Sequence, residues 1–206
     1  MKIQAAIDRV PLEKAVTLIE ELAAADIIEL GTSLSKDFGL ACLVQTRGIP
    51  RAGQLLVDIK TIDEGEYEFR RYFEAGADIL TVMGAGAKAT LDVCYQVAEE
   101  FGKEMLIDLL ECSEERIANI AGAYPNAIYA MHFAKDAGRV ADVAGQVAAF
   151  RQQFPEIQRV ALAGGLQLAD IPALKAAGLE IAIVGSGITG AADPAQALQN
   201  FMEEAK

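Results

Sequence analysis

Eight short apolar runs, each followed by a stretch of helical spacing, predict an α/β protein of the (β/α)8 barrel class. Two further observations point the same way. The runs are apolar throughout instead of alternating, as the strands of a parallel sheet buried on both faces are. Their few ionisable residues gather at their C-terminal ends, the rim on which such a barrel carries its chemistry.

The expected strands are Ile3–Asp8, Ile27–Gly31, Gln54–Lys60, Ile79–Met83, Met105–Leu109, Ala127–His132, Arg159–Ala163 and Ile181–Gly185. Between them, Leu12–Ala24, Gly65–Glu74, Ala87–Phe101, Glu114–Ala123, Val140–Phe154, Leu168–Ala177 and Pro194–Glu204 are rich in Ala, Leu, Glu and Gln and read as helices. The segment around Ser35–Thr46 is the weakest helix, followed by a turn-rich connector, Gly48–Gly53. Asp193-Pro194 is an N-cap with proline at the first helical position. Gly76, Gly102 and Gly178 stand just past helix ends, where a left-handed residue is wanted. Eight units in 206 residues is about 26 residues each, a compact TIM barrel. An open doubly wound sheet of the same strands is the alternative. No linker or composition shift divides the chain, so residues 1–206 are expected to form one domain.

Composition excludes several functions. The formal net charge is −12, with no Lys/Arg block, and only 6% of residues are aromatic. Nucleic acid and anionic membrane surfaces are therefore not expected partners. No apolar run is long enough to span a bilayer, and no leader is evident, so a cytoplasmic protein is expected. Cys42, Cys94 and Cys112 suggest neither a disulfide frame nor a metal knuckle. With one histidine, His132, sites needing two His ligands are ruled out.

The strand ends carry Asp8, Glu29, Asp58 with Lys60, Asp108 and His132. Singly, an acid at a strand end is commonly a helix N-cap or a solvated loop residue. Five such ends on one rim form a site. Asp58-Ile-Lys60-Thr-Ile-Asp63 is its densest part, and residues two apart on a strand share a face. Lys60 among acids is either a self-satisfied ion cluster or a cation held for a developing oxyanion. Glu29 beside Asp58 makes a hard oxygen pair suited to Mg²⁺. His132 is either a core residue or a general acid/base, with Lys135 and Asp136 following it on the loop. Ala163-Gly164-Gly165 and Gly185-Ser186-Gly187, after the seventh and eighth strands, are the expected phosphate-binding turns, with a short helix start adding its dipole.

These residues bear a family resemblance that runs nearly end to end. Asp58, Lys60 and Asp63 match the D-x-K-x-x-D motif of the orotidine 5′-phosphate decarboxylase suprafamily, and Glu29 stands where its magnesium-dependent members have Glu. The chain resembles their 3-hexulose-6-phosphate synthase / 3-keto-L-gulonate-6-phosphate decarboxylase group. The resemblance implies a lyase acting on a phosphorylated ketose through a 1,2-enediolate. Mg²⁺ would bind Glu29 and Asp58, Lys60 would stabilise the enediolate and His132 would move the proton. Asp8 and Asp108 would orient hydroxyls or Lys60, and Gly164, Gly165, Gly185 and Ser186 would bind phosphate. It also implies a homodimer in which Asp63 reaches the neighbour's site. Leu106-Ile-Asp108 and the absence of Arg at Ser186 favour the synthase side, which condenses formaldehyde with D-ribulose 5-phosphate. Lys135, three residues after His132, is similar to the decarboxylase side. The loop His132-Phe-Ala-Lys135-Asp136-Ala-Gly matches neither pattern fully, and Ser33 stands where many members have Pro. A non-catalytic phosphosugar-binding barrel is the further alternative.

Overall fold

The computed structural model describes every residue from 1 to 206 except Lys135, Ala137, Arg139 and Val140. Among the described residues, eight parallel strands close into a barrel in chain order. They are β1 (Lys2–Ile7), β2 (Ile27–Leu30), β3 (Gln54–Thr61), β4 (Ile79–Met83), β5 (Glu104–Asp108), β6 (Ile128–His132), β7 (Val160–Ala163) and β8 (Ile181–Val184). Closure comes from β8 pairing with β1, Ala5 opposite Val184. The open sheet is thereby excluded.

Around the barrel run α1 (Leu12–Glu21), α2 (Thr32–Phe38), α3 (Leu40–Thr46), α4 (Gly65–Glu74), α5 (Lys88–Phe101), α6 (Glu114–Ile120), α7 (Val143–Gln153), α8 (Ile171–Ala176), α9 (Ser186–Thr189) and α10 (Pro194–Ala205). Local chemistry sets their ends. Asp193 accepts the amide of Gln196 at 3.0 Å with Pro194 behind it, so α10 starts where expected. Gly76, Gly102 and Gly178 adopt φ of 110°, 62° and 80°, the left-handed exits. Two expectations are corrected. The helix expected over Ser35–Thr46 is two helices, broken at Gly39 with φ 55° and ψ −143°, a conformation open to glycine alone. The stretch from Leu168 begins as a single 3-10 turn, Leu168–Asp170, before α8. The start expected for α7, Val140, lies outside the described residues.

Two apolar layers follow from strand periodicity. Residues facing outward, such as Ile3, Ile28, Leu55, Leu80 and Val160, pack under the helices. Residues facing inward, Ile27, Leu56, Ile79, Leu106, Ile128, Ala161 and Ile181, plug the barrel interior. Two residues further along each strand the same inward face continues toward the C-terminal rim. It carries Glu29 after Ile27, Asp58 after Leu56, Thr81 after Ile79 and Asp108 after Leu106. The polar layer sits directly on the apolar plug. The opposite rim is tied by ion pairs, Arg159 with Glu104 at 3.3 Å and Glu180 at 3.0 Å, and Asp78 with Lys103 at 2.6 Å. Among the described residues no helix is long and apolar enough to cross a membrane.

Candidate active site

Asp108, at the end of β5, is the hub. It is buried and bonds the Lys60 ammonium through Oδ2, while His132 Nδ1 lies 2.9 Å from Oδ2 and 3.1 Å from Oδ1. Burial alone would raise the Asp108 carboxyl. The His132 hydrogen bond and the Lys60 charge outweigh it and hold the group down at about 2. With Nδ1 engaged, Nε2 is the ring nitrogen left to exchange a proton.

Lys60 also approaches Asp58 Oδ2 at 3.3 Å. Burial works against its charge, but Asp58 and Asp108 more than compensate and raise its pKa, so it stays an ammonium. It reaches both acids through an irregular strand end. The β3–β4 register shifts between Val57 and Thr61, and Lys60 has φ 48°. Its amide donates to Thr81 Oγ1 at 2.9 Å, which anchors the unfavourable backbone.

Asp58 has partners on both side-chain oxygens and on its carbonyl. Thr81 donates to Oδ1 at 2.7 Å, Thr32 bonds Oδ2, and Ser35 donates to the backbone carbonyl at 2.7 Å. Glu29 is the opposite case. Gln4 Nε2 donates to its Oε2 at 2.6 Å, yet burial first and the Asp58 charge second push its pKa up to about 8. Gln4 Oε1 is buried with no partner among the described residues. Two neighbouring buried carboxylates, one reluctant to ionise, beside an orphaned oxygen, fit a hard divalent cation. Among the described residues no cluster of three or more Asp, Glu, His or Cys side chains could hold a metal. A cation here would have two protein carboxylates and take its other oxygens from water and substrate, as Mg²⁺ does.

Above this layer lies a cleft of about 670 Å3, lined among others by Glu29, Asp58, His132, Gly164, Gly165, Gly185, Ser186 and Gly187. Gly164 and Gly165 have φ of 128° and 70°, so the β7 turn is built on backbone that a side chain would disfavour. Asp8 lines the cleft but faces Ser33, which donates to Asp8 Oδ1 from its amide at 3.1 Å and its hydroxyl at 2.8 Å. The ion-pair partners of Lys60 are Asp58 and Asp108, not Asp8. Asp63 is exposed beyond β3 and does not line this cleft. Lys135 lies outside the described residues.

Several functional neighbours escape strand-end reasoning: Gln4, Thr32, Thr81 and the pair Arg9 and Ser33. Gln4 and Thr81 left a signal, since each is a polar residue in the buried interior of an otherwise apolar strand and so needs a partner. Thr32 and Ser33 carry no such mark, being ordinary turn residues in sequence.

Fold and site together define a (β/α)8 barrel of the enzyme class, whose charged rim faces a glycine-lined cleft. The chain belongs to the orotidine 5′-phosphate decarboxylase / HUMPS family, whose model matches residues 1–201. It is 36% identical over 207 residues to the 3-hexulose-6-phosphate synthase of Mycobacterium gastri, with 98% of each chain covered. A crystal structure of a 3-hexulose-6-phosphate synthase superposes with a TM-score of 0.90 at 34% identity, covering all of both chains. The 3-keto-L-gulonate-6-phosphate decarboxylase of Vibrio cholerae superposes at 0.83 with 28% identity, covering 99% of this chain and 96% of its own.

Proposed function

We propose that this protein is a 3-hexulose-6-phosphate synthase, a lyase-class aldolase joining formaldehyde to D-ribulose 5-phosphate. The observation that carries the reading is the Asp108–His132 pair at 2.9 Å beside the Lys60 ammonium, a base and a cation held by one carboxylate. Support for this substrate pair comes from full-length similarity to proteins named for that activity.

The ketose lies in the cleft with its phosphate at Gly164, Gly165, Gly185 and Ser186, where backbone N–H groups and the α9 start receive it. His132 Nε2 takes the C1 proton, and the electron pair forms the C1–C2 enediolate. Lys60 places its positive charge against the developing oxyanion. Asp108 keeps the imidazole oriented and stabilises it once protonated. C1 of the enediolate attacks the formaldehyde carbon, and the new alkoxide takes the proton back from His132. The product is D-arabino-hex-3-ulose 6-phosphate. Glu29 and Asp58 would hold Mg²⁺, which when bound supplies Lewis-acid polarisation of the ketose oxygens.

In this reading the protein works as a homodimer in the cytoplasm. Asp63 is exposed on its own chain, between Ile62 at 55% and Tyr67 at 63% exposure, an apolar surface suited to a second copy. Asp63 would complete the neighbour's site. Cys42, Cys94 and Cys112 are free thiols, as in a reducing compartment.

The test is formaldehyde consumption with D-ribulose 5-phosphate and Mg²⁺, with an EDTA control. Rapid, EDTA-sensitive consumption is the expected result, and none by folded protein overturns the reading. The second reading, 3-keto-L-gulonate-6-phosphate decarboxylase, has Lys135 and the Vibrio cholerae neighbour in its favour. Release of CO₂ from that substrate, without formaldehyde consumption, would select it.

A further inference from the structure

The geometry points to Arg9 as the cation that grips the substrate phosphate, held in place by a latch built from Asp8 and Ser33. The inference rests on the reading that this site takes a phosphorylated ketose.

Arg9 follows β1 with φ 52°, a backbone that a side-chain-bearing residue adopts only when its surroundings impose it. The surroundings are explicit. The Arg9 amide donates to Ser33 Oγ at 2.6 Å, and that hydroxyl donates onward to Asp8 Oδ1 at 2.8 Å. The Ser33 amide donates to the same Asp8 oxygen at 3.1 Å. Two residues of the loop after β1 and one in the first turn of α2 thus lock one another. The latch bonds the Arg9 backbone and leaves its guanidinium free: among the described residues it has no hydrogen bond or ion pair.

Its position is equally specific. Because Ala5 pairs with Val184, the turn carrying Arg9 lies beside the Gly185-Ser186-Gly187 turn that follows β8. Arg9 lines the same cleft as those residues and as Gly164 and Gly165. Four acids also line that cleft, Asp8, Glu29, Asp58 and Asp136, in a chain of net charge −12. A phosphate dianion entering it meets backbone N–H groups in both glycine turns but no cation within either turn. The planar donor fork of arginine suits a phosphate better than a point charge does. Lys36 also lines the cleft, but among the described residues no bond fixes its backbone there beyond those of the α2 helix.

The experiment measures D-ribulose 5-phosphate and inorganic phosphate binding by calorimetry, and KM and kcat for the condensation. Wild type, Arg9→Ala, Arg9→Lys and Ser33→Ala are compared. Arg9 is exposed, so its variants are expected to fold. Arg9→Ala should weaken both ligands about 10- to 100-fold, the usual range for a lost charged hydrogen bond, and raise KM with kcat nearly kept. Arg9→Lys should recover part of the affinity. Ser33→Ala should raise KM in the same direction, and binding of unphosphorylated D-ribulose should be the same in all four proteins. Arg9→Ala binding like wild type overturns the assignment, and Ser33→Ala with wild-type KM overturns the latch. If wild type binds D-ribulose 5-phosphate and Arg9→Ala does not, while neither consumes formaldehyde, Arg9 stands and the synthase reading falls. If wild type does not bind the sugar phosphate, both fall.

Discussion

His132 turns its Nδ1 to Asp108, 2.9 Å from Oδ2, across the neighbouring strands β5 and β6. The same Asp108 oxygen receives the Lys60 ammonium from β3. One carboxylate therefore positions both the imidazole and the ammonium. Asp108→Asn keeps the shape but removes the charge and can turn a donor toward the ring. We expect kcat to fall about 10²-fold or more with KM little changed, and His132→Ala to cost about 10²- to 10⁴-fold, both read by steady-state kinetics. If Asp108→Asn retained wild-type kcat, the His132 base would not depend on it.

Asp108 also links the site to acid stability. Its pKa is about 2 in the fold against a usual 3.8, so the group is depressed. Its contribution is fully present above pH 3.8 and is lost as pH falls toward 2. The size is about 2 kcal/mol. Urea denaturation between pH 6 and pH 2 should show wild type losing this increment, and Asp108→Asn should show a correspondingly shallower slope. Equal slopes would count against the ion pair's role in stability.

Glu29 and Asp58 predict a metal response independent of turnover. Adding Mg²⁺ to wild type should raise the melting temperature, and EDTA should reverse it, because a ligand that binds only the folded state stabilises it by mass action. Glu29→Gln and Asp58→Asn should each abolish the shift. A shift that survives in Glu29→Gln would place the ion elsewhere.

Asp63 gives a mixing test. If it serves the neighbouring chain, Lys60→Ala and Asp63→Asn are each inactive alone. Co-refolded in equal amounts, they should regain about a quarter of wild-type activity, since half the dimers are mixed and each mixed dimer has one intact site. No recovery, with mixed dimers demonstrated by mass spectrometry, would show that Asp63 does not act across an interface.

The barrel was legible in the chain because its cause is local and repeated. Each run such as Ile79–Met83 is apolar on both faces, and each intervening stretch has helical spacing, so eight units follow with their order. The rim was legible for the same reason: Asp108 and His132 end apolar strands, and Glu29 and Asp58 stand near the C-terminal ends of theirs. The break at Gly39 was not, because a glycine within a weak helical pattern marks a kink, a cap or nothing until its neighbours choose. Nor were the roles of Asp8 and Lys60. Asp8 was open to Lys60 or to hydroxyls and faces Ser33, 25 residues away in sequence.

By itself, then, the sequence determined the strand–helix repeat, the polar strand ends and the two glycine turns, all properties of a residue and its near neighbours. Only tertiary structure decided which acid pairs with which base. Lys60 reaches Asp108 across 48 residues of chain, and Gln4 reaches Glu29 across 25. Barrel closure, strand register and a left-handed kink at Lys60 bring those charges within a few ångströms of one another, and charge interactions depend on that distance and on burial.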